Sequence, residues 1–153
     1  MMYRVIFVLS VCLIVVGRTL AAQTSKSVVS DVVREAGAIV QTEKSLQGLL
    51  EESKTTDPKQ AESLVRTAQV KVKTIKELLD QLDARYDSLN DEQRSAVRES
   101  WTISELLGAY VDNQQDDLAG LADKERREDA RVNATCAVRR AEMLVSSVQR
   151  LTK

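Results

Sequence analysis

Two neighbouring features hold most of the reactive side-chain chemistry in this chain: the tripeptide Asn133–Ala134–Thr135 and, directly after it, Cys136. The tripeptide is the N-glycosylation acceptor pattern, although a helical setting there works against access by the transferase. Cys136 reads as a small buried hydrophobe, with an intermolecular disulfide as the alternative for an unpaired thiol in a secreted protein. Histidine is absent from the whole sequence. That removes the commonest general base and metal ligand, and with it the Ser–His and Cys–His nucleophilic arrangements. The sequence has no glycine-rich phosphate loop and no paired-cysteine motif. Asp116–Asp117 and Glu125–Glu128–Asp129 have Lys124, Arg126 and Arg127 beside them, the pattern of a solvated helix face with i,i+4 ion pairs. Carboxylates of glycosidase type need a sugar cleft, for which this pattern gives no sign. We therefore expect a protein that is not an enzyme, with no catalytic residue, cofactor or metal.

Binding residues are the next candidates. Trp101 is the single tryptophan, and tryptophans dominate interface hot spots. Its position also fits the apolar stripe of a helix, which makes core packing the first expectation and a partner anchor the second. Lys71, Lys73 and Lys76, with Arg66, form a modest basic patch, and Arg139–Arg140 another. The default for both is solvated surface; the alternative is contact with an acidic protein face or a sulfated polysaccharide.

The elements that would position these residues begin after a targeting segment. Arg4 supplies a basic start, Val5–Val16 is apolar except for Ser10, and Thr19–Leu20–Ala21–Ala22 brings small residues. This is the pattern of a secretory signal peptide over residues 1–22, too short to span a membrane. Cleavage is expected after Ala21 or Ala22, leaving a secreted, extracellular chain of about 131 residues in one domain. Arg4 and Arg18 leave with the signal, so 20 basic residues face 23 acidic ones, a net charge of about −3. That excludes the basic excess of a nucleic-acid binder. Cys12 also leaves, so no intramolecular disulfide can form and packing must hold the fold.

Helical periodicity fills the rest. Ala61, Val65, Ala68, Val72, Ile75, Leu79, Leu82, Tyr86 and Leu89 recur at spacings of four and three, one seam along a helix. Leu64 and Leu78 widen it into a bundle stripe. Asp57 is the expected cap, Pro58 the first helical residue, and Gln60 the partner in a capping box. Upstream, Val29, Val32, Ala36, Ile39, Leu46 and Leu50 keep the same rhythm, with Glu43 the one charged intruder. Downstream, Asn90 and Gln93 repeat the cap logic before Val97, Trp101, Leu107, Tyr110 and Val111. Ala130, Ala134, Ala137, Ala141, Leu144, Val148 and Leu151 form the last seam. Between the last two helices, Val111–Asp117 and Leu118–Asp123 are both turn candidates, and Gly120 favours the later one.

The pattern predicts helices over residues 27–52, 58–89, 91–118 and 122–152 within a single domain, 23–153. They are similar in length, and the connectors near Asp57 and Asn90 are short. The expected fold is all-α, an antiparallel up-down four-helix bundle without an intramolecular disulfide; a longer helical hairpin that dimerises is the rival. Three roles remain: a secreted module that binds an extracellular protein, a carrier of lipid or another apolar ligand, or a self-associating structural protein, with a homodimer open in each. Small residues in the last seam imply close helix packing and favour the first. With segments such as SVVSDVVREAGAIV and DPKQAESLVRTAQVKVKTIKELLDQL, the chain resembles the small helical salivary proteins of mosquitoes of the albicin and anophensin type, in size, signal peptide and helical pattern. The resemblance implies a non-enzymatic salivary inhibitor of the alternative complement pathway or of contact activation, acting on a host plasma protease or complement complex. It carries over no functional residue.

Overall fold

In the computed structural model, backbone is described for residues 2–51 and 57–152, and side chains for 25–51 and 57–152. The expected signal peptide, its cleavage site and the segment 52–56 lie outside the residues described with side chains. Among the described residues, four α-helices make up the fold: α1 (Met2–Leu49), α2 (Pro58–Asp83), α3 (Asp91–Leu118) and α4 (Lys124–Gln149). Among the described residues there is no strand and no helix long and apolar enough to cross a membrane.

Each helix start has a local cause. Asp57 caps α2, its side chain accepting from the Lys59 N–H at 3.0 Å, with Pro58 in the first turn. The α3 start closes a full capping box: Asn90 accepts from the Gln93 N–H at 2.9 Å, and the Asn90 N–H donates to the Gln93 side chain at 3.2 Å. At α4 the cap is Asp123, accepting from the Glu125 N–H at 2.7 Å. The turn between α3 and α4 therefore falls at the later of the two candidate segments. Val111–Asp117 is helix throughout.

Several ends differ from the sequence expectation: α1 is continuous from Met2 to Leu49 instead of covering 27–52, and α4 begins at Lys124 instead of 122. α2 stops at Asp83 instead of continuing to 89, and Tyr86–Ser88 forms a 3-10 turn. Side chains from α3 account for this: Arg94 donates to the carbonyls of Tyr86 and Asp87, both at 3.1 Å. The guanidiniums of Arg94 and Arg98 also sit 5.3 and 5.2 Å from the Tyr86 ring centre. These contacts draw the Tyr86 segment out of the α2 line. The last helix ends at Gln149 and tightens into a 3-10 turn, Arg150–Thr152.

Neighbours in sequence are neighbours in space, and α1 also packs on α4, so the four helices close into a ring. Cross-helix bonds fix the directions. Arg85 reaches Ser25 while Lys71 reaches Glu35, which makes α1 and α2 antiparallel. Gln69–Asp112 and Lys76–Glu105 do the same for α2 and α3, and Asn133–Asp117 and Ser147–Ser100 for α3 and α4. Gln47 donates to Thr135 at 3.1 Å, and the Arg150–Thr152 turn also packs on α1. At 1.5 Å per residue both contacts fit only if α4 runs against α1.

The core is built on most of the seam positions read from the sequence and extended by Val28, Ala96, Ile103, Leu118 and Leu121, while Tyr86, Leu89, Trp101 and Tyr110 lie at its edge, partly buried. All seven α4 seam positions are buried, as are Val29, Val32, Ala36, Ile39, Leu46 and Leu50 of α1 and its extension. The α2 seam is buried from Ala61 to Leu82, with Leu64 and Leu78 packed at its margin. Ala130, Ala134, Ala137 and Ala141 let α4 approach its neighbours closely. Ser100 and Ser147 meet within this interior at 3.0 Å, and each donates to the Ala96 carbonyl in alternative use of its hydroxyl.

Candidate functional site

The three lysines singled out from the sequence do not form one patch. Successive residues of a helix are 100° apart, so Lys71 and Lys73 point to different sides of α2. Lys71 turns toward α1, where its ammonium donates to Glu35 Oε2 at 3.1 Å and its side chain is only 26% exposed. That bond, ahead of the opposing cost of partial burial, holds the Glu35 carboxyl below its ordinary range. Lys76 turns toward α3 and pairs with Glu105 at 3.0 Å. Lys73 stands 81% exposed, with Glu77 a turn away at 4.0 Å. Arg66 is occupied by Glu62 at 2.6 Å. Of the three, only Lys73 is largely exposed; Lys71 and Lys76 each pair with a carboxylate of a neighbouring helix.

Lys73 and Lys76 border a cleft of about 250 Å3 between α2 and α3, completed by Gln69, Val72, Gly108, Val111 and Asp112. Gly108 shapes its floor. A Cβ there would lie 3.4 Å from Val72 Cγ1 and 3.5 Å from Lys76 Nζ, ordinary contact distances, so Val72 and the Lys76 ammonium end pack directly over this glycine. At the other rim Gln69 donates to Asp112 at 3.1 Å. The cleft thus sets the exposed Lys73 and the Glu105-paired Lys76 beside the apolar Val72 and Val111, with the Asp112 carboxylate in the same lining.

Trp101 packs at the edge of the core, partly buried. Asn133 is also half-buried, and its Nδ2 donates to Asp117 Oδ2 at 2.9 Å. Asp117 is itself buried and meets Arg126 at 3.6 Å. The sequon nitrogen is therefore engaged between α3 and α4. Cys136 is a free thiol of intermediate exposure, flanked on the outer side of α4 by the exposed apolar residues Val132 and Met143.

Sequence reasoning missed one polar pair. Glu43, the intruder of the α1 seam, is fully buried, and Gln114 of α3 is buried against it. Gln114 Nε2 donates to Glu43 Oε2 at 2.7 Å. Burial, only partly offset by this bond, pushes the Glu43 carboxyl up to about 7. The available signal was the position itself: a carboxylate in a core seam requires a partner, and Gln114 continues the spacing of Leu107 and Val111.

No protein family, curated protein or solved structure matches the chain.

Proposed function

We propose that this chain is a secreted, non-enzymatic interaction protein that acts by occupying the surface of an extracellular partner. The observation that carries this reading is the alanine seam of α4. Four alanines without solvent exposure fill the interior by close helix approach, which disfavours a carrier that must enclose an apolar ligand. The surface offers the complement: a cleft between α2 and α3 bordered by two lysines of α2 and a mixed-charge exterior. The resemblance to mosquito salivary proteins names the partner class to be tried first, a host plasma protease or complement complex of the alternative or contact pathway.

Passing plasma over the immobilised protein, followed by alternative-pathway lysis and contact-phase clotting assays, tests this. Specific capture of a plasma protein with inhibition in one assay is expected. Capture of none, with both assays unaffected, removes the inhibitor; co-purified lipid found by mass spectrometry would replace it with a carrier.

A further inference from the structure

Glu43 sits in the α1 seam between Ile39 and Leu46, with no surface exposed to solvent. Its one hydrogen bond comes from Gln114, across the core on α3. Two buried atoms of this pair have no partner: Glu43 Oε1 and Gln114 Oε1. Both are acceptors. An ionised carboxyl can only accept, and the amide oxygen can only accept, so the pair as an anion is short of one donor in a place where an unmet polar atom is costly. A single proton corrects both deficits. Placed on Glu43 Oε1, it donates to Gln114 Oε1 while Gln114 Nε2 donates to Glu43 Oε2, closing a two-bond ring.

We propose that Glu43 is held as a neutral carboxylic acid in an acid–amide ring with Gln114, a proton-dependent clasp between α1 and α3 that opens when the proton leaves. The balance is simple: opening releases one proton to solvent and leaves one negative charge in the core. No facing element compensates that charge. On α2, Lys59 is exposed, Glu62 and Arg66 pair with each other, and Lys71 is engaged by Glu35. On α3, Asp112 and Asp116 face solvent, and Asp117 is taken by Asn133 and Arg126. On α4, Arg139 at the level of Glu43 is exposed, Arg140 donates to Met143 Sδ at 3.5 Å on the surface, Glu128 and Arg131 pair with each other, and Asp129 is exposed. Lys44 and Glu51, nearest along the chain, are also exposed. Burial raises the carboxyl to about 7, which puts the clasp's opening near neutral pH.

The test is a 13C NMR titration of glutamate side-chain carboxyls in the protein, with Glu43 assigned by its absence in Glu43→Gln. Amide hydrogen exchange in α1 and α3 is followed over the same range. The expected result is a Glu43 midpoint near 7, with the protection factors of amides around 43 and 114, corrected for intrinsic base-catalysed exchange, falling above it and this fall lost in Glu43→Gln. Infrared spectroscopy of the unsubstituted protein at about pH 6 gives a second readout that needs no variant: a protonated carboxyl band that disappears as Glu43 ionises. Titration of Glu43 in the ordinary carboxylate range, with no protonated band at that pH, overturns the clasp. Such a result would follow if a water molecule donated to both oxygens of an ionised pair.

Discussion

Replacing Glu43 by glutamine should change how stability depends on pH in a way that follows from one residue. The folded carboxyl titrates at about 7 against an ordinary value of 4.5. Below 4.5 the group is neutral in both folded and unfolded chains, and its contribution is fully present. As pH rises, the unfolded chain loses its proton first, so the folded state is progressively disfavoured until the folded group also ionises near 7. At 1.36 kcal/mol per pH unit, the loss across this window is about 3 kcal/mol, a large part of the roughly 5–15 kcal/mol that holds a domain together. Glutamine keeps the shape and supplies an N–H to the Gln114 oxygen, so Glu43→Gln should match the parent near pH 4.5 and exceed it by about 3 kcal/mol at pH 8. Glu35 acts in the opposite sense and in another window: its lowered value gives stability above 4.5 that is lost as pH falls below. Urea denaturation of both proteins at several pH values is the assay. With a slope of roughly 1–3 kcal/mol per molar, the midpoints should diverge by about 1–3 M at the alkaline end. Parallel curves through the window would refute the reasoning.

Three further outcomes are expected. Leu107→Ala, at a position without solvent exposure, should cost about 2–5 kcal/mol in urea denaturation because the surrounding helices cannot fully collapse. Asn90→Ala removes the side-chain half of the capping box and should lower stability by about 1 kcal/mol in thermal unfolding followed by circular dichroism. Lys73→Glu should shift stability by under about 0.5 kcal/mol, whereas Lys71→Glu sets two carboxylates against each other between α1 and α2 and should cost more; equal effects would contradict the separation of the two lysines.

The seams were legible because burial repeats at 3.6 residues and the apolar residues repeat with it. All seven α4 seam positions and the whole of α3, residues 91–118, follow from spacing and caps. Tyr86 and Leu89 misled because they continue the α2 rhythm, while the arginines that pull Tyr86 aside come from the next helix. No local pattern encodes that contact. The lysine cluster misled for a different reason: nearness in sequence stood in for nearness on a helix surface, although 100° per residue already separates Lys71 from Lys73. Gln114 was hidden inside a segment that also read as a turn, so Glu43 was seen as an intruder without its partner.

The ring arrangement gathers four distant points of the chain at one pole. Ser25 lies by Arg85, and Gln93 donates to the Leu151 carbonyl at 3.2 Å. Leu50, Asp57 and the turn from Leu118 to Asp123 occupy the opposite pole. Ser25 and Leu151 therefore share one end of the bundle, and the α3–α4 turn marks the other. A probe at Ser25 and one at Leu151 would report on the same end of the bundle, with the α3–α4 turn at the far tip.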